Sequence, residues 1–114
     1  MMAGRKFPAD PVAFIQDCVR RRKILWTYHV NLRLAGRSIS REAIIAAADT
    51  YEMVEAYPHD KYLPSDLVLA RDSSEYLHIL FGADVQGDNV RIVTAYRPDP
   101  AEWEENLKNR RPKG

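Results

Sequence analysis

Up to Tyr51 the apolar residues recur three or four positions apart, and after it they recur at every second position, so the chain changes from a helical to an extended period at that point. Asp10-Pro11 is a helix start, because an aspartate can cap free amides and a proline at the first helical position loses no hydrogen bond. Val12, Ile15, Cys18 and Val19 then fall on one helical face, and Arg20, Arg21, Arg22 and Lys23 close the helix where cations suit the negative end of its dipole. A second helix is expected from Trp26 to Arg37 with Leu25, Tyr28, Leu32 and Ala35 as its buried stripe, and Gly36 weakens its last turn. Ser40 caps a third, with Glu42 in the first turn, Ile39 placed to staple against Ile44, and Ile44, Ala47, Ala48 and Tyr51 on the inner side.

The period of two predicts four strands, at Glu52 to Tyr57, Leu67 to Arg71, Tyr76 to Val85 and Val90 to Tyr96. Their connections are turn-like: Pro58-His59-Asp60 and Pro64-Ser65-Asp66 bound one loop, Asp72-Ser73-Ser74 forms another, and Gln86-Gly87-Asp88-Asn89 makes a hairpin. Asp99-Pro100 repeats the first start signal, and with Glu102, Trp103 and Leu107 it predicts a closing helix. The expected fold is α+β, with three N-terminal helices, a four-stranded antiparallel meander and a C-terminal helix.

Composition narrows this picture. At 114 residues and 46% hydrophobic content the chain is expected to form a single domain over 1–114, with loose tails at 1–6 and 111–114. No apolar run approaches the roughly 18 residues of a membrane span, and Met1 to Asp10 lacks a signal-peptide core, so a cytoplasmic protein without a membrane partner is expected. The lone Cys18 cannot form an internal disulfide and reads as a small buried apolar residue. Residues 1–50 carry nine Lys/Arg against four Asp/Glu, and residues 51–114 carry eight against twelve. A basic helical front half can meet a phosphate backbone or an acidic partner.

Candidate chemistry sits on two elements. In the third strand Leu77, Ile79, Phe81, Ala83 and Val85 form the core face, which leaves His78 on the other. If Val85 pairs with Val90, the core face gains Ile92, Thr94 and Tyr96, and His78 lies across from Arg97. A three-residue turn would instead set His78 beside Thr94 and Tyr96; hydrophobic matching favours the first register. Either neighbour could support acid–base work or hold a phosphate. On the second helix His29, Arg33 and Arg37 are four apart and form a ridge suited to clamping a phosphate. His29, His59 and His78 have no metal-ligand spacing, and neither a Gly-rich phosphate loop nor a nucleophile elbow occurs, so neither a metal nor a cofactor is expected.

Tyr28-His29, then Arg33, Arg37, Ile39-Ser40, Glu55-Ala56-Tyr57-Pro58, Leu77-His78 and Thr94-Ala95-Tyr96-Arg97-Pro98 together resemble a family of small bacterial domains of unknown function, over nearly the whole chain. That family is similar in helix and strand order to the RelE-like and BrnT-like toxins, small domains that cleave RNA without a metal. The resemblance implies an endoribonuclease of a toxin–antitoxin pair, with His29, His78 and Tyr96 as candidate catalytic groups and Arg33, Arg37 and Arg97 binding the substrate phosphate. RNA and a small antitoxin protein would be its partners. RelE-type toxins are strongly basic whereas this chain is nearly neutral, so RNA would be held locally by these arginines. The other class consistent with the residues is a non-catalytic interaction module, in which the sheet face with Leu80, Val93 and Ala95, or the edge of the last strand, meets a partner or a second copy in a homodimer.

Overall fold

A computed structural model of the chain describes residues 6–73 and 75–112. Helix α1 (Pro11–Arg20) begins on Asp10, whose side chain accepts from the Ala13 amide at 3.1 Å. Arg22 then adopts a left-handed conformation, φ 62°, which turns the chain sharply out of the helix. The next element is a two-residue strand, β1 (Ile24–Leu25), that lies parallel to the last strand. Helix α2 (Tyr28–Gly36) is capped by Thr27, and α3 (Arg41–Ala46) by Ser40, each through a side-chain oxygen that accepts from the amide three residues on. A single 3₁₀ turn, Ala48–Thr50, leads into β2 (Glu52–Tyr57), β3 (Ser65–Asp72), β4 (Glu75–Asp84) and β5 (Asn89–Tyr96).

The strands form one five-stranded sheet in the order β1-β5-β4-β3-β2, with the β1–β5 pair parallel and the others antiparallel. This corrects the expected four-stranded antiparallel meander. Two residues are too few to show a period, so β1 is invisible in the pattern; it forms because Ile24 packs against the core and the Lys23 carbonyl accepts from the Val90 amide at 3.0 Å. It also means that β5 is not an edge strand along its first half, as a dimerising edge would require; the edges are β1 and β2.

The expected C-terminal helix is absent among the described residues. Asp99 does begin a turn, accepting from the Ala101 amide on its side chain and from the Glu102 and Trp103 amides on its carbonyl. The turn then opens into a narrow loop closed by an antiparallel bridge between Trp103 and Arg110 and by the Glu104 amide on the Asn109 carbonyl. Burying the Trp103 indole, 1% exposed, overrides the local cap signal. Among the described residues no helix is long and apolar enough to cross a membrane. Residues 1–5 and 113–114 of the expected tails, and Ser74 of the expected turn, lie outside the described residues. Within them Arg111 is tied to the Glu102 and Pro100 carbonyls.

The helices cover one face of the sheet. Ile15, Cys18 and Val19 of α1, Val30 and Leu34 of α2, and Ile44 of α3 join Val68, Leu77, Ile79, Phe81 and Ile92 in one buried cluster. The rotation of α2 is the reverse of the one expected: Leu25, Tyr28 and Leu32 are 53, 72 and 54% exposed, and Ala35 is exposed too. Val30 and Leu34 share the spacing of the expected stripe, so period alone cannot choose between them; the chain's entry from β1 does. At the other end of α2 the Ile39 amide returns to the Leu34 carbonyl at 2.9 Å across a left-handed Ser38, φ 55°, which stops the helix.

Candidate functional site on the sheet face opposite the helices

The β4–β5 hairpin closes with Asp84 opposite Asn89 around a four-residue loop, and the Asp84 carboxylate accepts from the Gly87 amide at 2.9 Å. The favoured register, with Val85 opposite Val90 and His78 across from Arg97, is not formed; His78 has Tyr96 opposite it and Thr94 beside it, as in the alternative, but through a bulge instead of a three-residue turn. Pairing runs to Phe81 opposite Ile92, then a β-bulge at Val93 inserts one residue and flips the parity. Ala95 therefore enters the helical core, while Thr94 and Tyr96 turn to the other face, where Tyr96 stands directly opposite His78. Arg97 does not face His78. The same flip removes Ala95 from any exposed docking face, and Leu80 and Val93 are each partly buried.

Alternation along β4 places His78 opposite to Leu77 and Ile79, with Leu69 of β3 and Tyr96 of β5 as its lateral neighbours. His78 is fully buried all the same, because residues 99–112 form a strap across this face. The Trp103 indole stands edge-on to the imidazole, with ring centroids 4.5 Å apart. Leu107, held in a left-handed conformation at φ 59°, aims its carbonyl at Nε2 at 2.7 Å. A carbonyl only accepts, so Nε2 carries the proton and Nδ1 of the neutral ring presents a lone pair to the Tyr96 hydroxyl, 3.4 Å away. Burial pushes the His78 pKa below its ordinary value, against the Leu107 hydrogen bond and the nearby Glu55 carboxylate, which favour the charged ring. Burial also raises the Tyr96 phenol, so at neutral pH that oxygen keeps its proton.

Around this pair stand three groups that sequence reasoning did not single out as site residues. Glu55 and Tyr57, two apart on β2, share one face; the Tyr57 hydroxyl donates to the Glu55 carboxylate. Arg110 of the strap donates to both Glu55 oxygens, at 2.8 and 3.0 Å, and its guanidinium lies 4.6 Å from the Trp103 ring centre. Arg110 holds the Glu55 carboxyl below the usual carboxylate range, and burial followed by the Glu55 hydrogen bond raises Tyr57. The period-two spacing of Glu55 and Tyr57 was the available signal for a shared face; nothing local in the sequence brings Arg110 back across the sheet.

The remaining expected site residues separate. Arg37 wraps the β5 edge past the end of β1, donating to Thr94 Oγ1 at 3.1 Å and the Ala95 carbonyl at 2.8 Å, and its charge reaches Tyr96. Arg97 is a strut: it donates to Glu75 at 2.8 Å and to the Arg37 and Ser38 carbonyls at the end of α2. His29 and Arg33 are exposed on the helical layer, so the sheet lies between them and His78. Two histidines on opposite sides of a sheet cannot serve one scissile bond, and that arrangement is set aside. His59 is an exposed loop residue. Among the described residues no group of three or more His, Cys, Asp or Glu side chains is placed to hold a metal ion.

Residues 26–97 match a protein family described as a domain of unknown function (DUF4258), well over half of the chain, and the protein belongs to that family. The matched segment contains Arg37, Glu55, Tyr57, His78 and Tyr96, whereas Trp103, Leu107 and Arg110 follow its end. No curated protein and no solved structure matches the chain significantly.

Proposed function

We propose that the domain cleaves an RNA backbone without a metal, using the sheet face opposite the helices. The observation that carries the reading is the His78–Tyr96 pair, a neutral imidazole whose Nδ1 lone pair is set by the Leu107 carbonyl toward a protonated phenol, with Arg110 and Arg37 near it. Transesterification needs those parts. His78 Nδ1 takes the 2′-hydroxyl proton as the 2′ oxygen bonds to phosphorus; the bond from phosphorus to the 5′ oxygen breaks, and that oxygen takes the Tyr96 proton. The products are a 2′,3′-cyclic phosphate and a 5′-hydroxyl. Arg110 and Arg37 offset the charge that builds on the phosphoryl oxygens, and Glu55 positions Arg110. Substrate reaches His78 Nδ1 when the Trp103 indole swings aside while the Leu107 carbonyl stays on Nε2.

The test is incubation of the purified chain with RNA in excess chelator, with product ends identified. Fragments ending in cyclic phosphate are expected, lost in Tyr96→Phe and in His78→Gln variants shown to be folded, and formed faster by Trp103→Ala, which uncovers the ring. Intact RNA with the wild type and with Trp103→Ala would end this reading.

A second reading is favoured by one observation: His78 is fully buried with both ring nitrogens partnered. In it the ring only pins the strap, and the domain is a non-catalytic interaction module. It predicts that His78→Gln alters stability and changes no RNA-dependent readout.

A further inference from the structure

Independently of any chemistry beneath the strap, the outer side of α2 has the character of an interface. Leu25, Tyr28 and Leu32 are each more than half exposed, and the last two lie one helical turn apart on a helix whose inner side, Val30 and Leu34, is already used by the core. Scattered exposed apolar residues are ordinary; Tyr28 and Leu32 one turn apart on α2, with Leu25 of β1 three residues before Tyr28, are a patch.

The charge around them has one sign. From Cys18 to Arg41 the chain carries seven Lys/Arg and no Asp or Glu. Several of these cations are occupied: Arg20 by Asp49, Arg21 by Asp17 and Asp88, Arg37 by the β5 edge. Arg22 folds back on its own helix carbonyls, and exposed Arg33 makes no ion pair among the described residues. Arg33 sits on the turn beside Leu32, and Lys23 lies on the approach to Leu25. An apolar stripe flanked by Arg33 on α2, unpaired among the described residues, and approached by Lys23, which shares the Asp88 carboxylate with Arg21, selects its occupant by both properties.

We propose that the outer face of α2 docks an acidic amphipathic helix of another protein, its leucine-type residues against Leu25, Tyr28 and Leu32 and its carboxylates toward Lys23 and Arg33. A second copy of this chain is disfavoured, because two such faces would bring like charges together. RNA is disfavoured too, since Leu25 and Leu32 add nothing to phosphate binding and leave Tyr28 as the one base-stacking ring among the three.

The probe is a fluorescent synthetic helix of about four turns, with leucine three and four apart and glutamate on the flanks. It is titrated with the full chain and followed by anisotropy, beside a scrambled peptide of the same composition and a short uridine oligonucleotide. Saturable binding of the patterned peptide is expected, at least tenfold weaker in Leu32→Glu, several-fold weaker in Arg33→Glu, and weaker again as salt rises. Leu32 and Arg33 are exposed, so both variants should fold, which circular dichroism checks. Absence of binding, equal binding of the scrambled peptide, or indifference to Leu32→Glu would overturn the proposal. So would tighter binding of the oligonucleotide through Arg33, which would make the face a nucleic-acid surface, or a dimer abolished by Leu32→Glu, which would make the occupant a second copy. Because Leu32 does not touch the His78 face and has no part in holding phosphate, any RNA cleavage by the chain should be unchanged in Leu32→Glu, so the two proposals fail separately.

Discussion

On the helical side of the sheet, Val68, Leu77, Ile79, Phe81 and Ile92 are sealed by apolar side chains from three helices, and the polar ties between the layers, such as Arg21 to Asp88 and Arg37 to the Ala95 carbonyl, lie outside that cluster. On the strap side, one indole, one imidazole-to-carbonyl hydrogen bond and ion pairs from Arg110 to Glu55 and Lys108 to Glu52 hold a segment without regular secondary structure. The first seal rests on area, which is non-directional and distributed over many residues. The second rests on a few directional contacts, any one of which can be removed singly. A face that must open for a substrate is better built in the second way, because segments with few apolar contacts open at lower free energy than the core.

The sharpest break of this comparison is a pair of truncations. Phe81→Ala and Trp103→Ala each empty a fully buried aromatic site, a change that costs about 3–5 kcal/mol in a closed core. The full loss is expected for Phe81→Ala in chemical denaturation. For Trp103→Ala a smaller global loss is expected, because residues 99–112 can detach while the sheet and helices persist; hydrogen exchange should accelerate in the strap and stay slow in α1. Equal global losses and protection lost throughout would mean that the two faces form one cooperative core.

Acid should act next, and on the strap side first. His78 is held neutral by burial, so its folded pKa lies below the ordinary value of about 6.5. As pH falls below that value the unfolded chain takes up the proton before the folded one, and stability declines until the folded ring also titrates. Glu55, Glu75 and Asp88, all lowered by arginine partners, lose their contribution further down, in the carboxylate range. The melting temperature is therefore expected to fall in two stages, and His78→Gln should remove the upper stage alone. A flat profile from pH 7 to 5 in the wild type would mean that the ring is already hydrated.

The same contrast explains what could be read from the chain. Two helix starts were legible because Asp10 and Ser40 lie within one turn of the amides they cap, whereas α2 begins at Tyr28 on a Thr27 cap, two residues after the expected Trp26. Four strands and the alternation of β4 were legible because period two is local. The rotation of α2 was not, since Tyr28/Leu32 and Val30/Leu34 are equivalent by spacing. Neither was the register of Tyr96 against His78, which depends on a bulge at Val93 that leaves no mark in composition. Of the expected site residues, Tyr96 stands beside His78 and the Arg37 charge reaches Tyr96, whereas His29 and Arg33 stay on the other side and Arg97 is used as a strut. Arg110, beyond the matched segment, reaches Glu55 from fifty-five residues away, a separation no periodicity encodes.

The smallest effect is the one that best separates a removable cover from a fixed one. The Arg110 side chain is 57% exposed, so its bidentate pair with Glu55 is screened by water and is expected to contribute less than about 1 kcal/mol to global stability. A double-mutant cycle on Arg110→Ala and Glu55→Ala, read in denaturant, should give a coupling of that size, and one that shrinks as salt rises. Freed of its partner, the Glu55 carboxyl should return toward the ordinary range, which carbon-detected NMR titration can follow. A small coupling fits a strap pinned chiefly by Trp103 and the Leu107 carbonyl, with Arg110 able to turn from Glu55 toward a phosphate once the Trp103 indole swings aside. A salt-insensitive coupling of several kcal/mol would instead make the ion pair part of a rigid seal, and Arg110 could not then serve a substrate without first paying that cost.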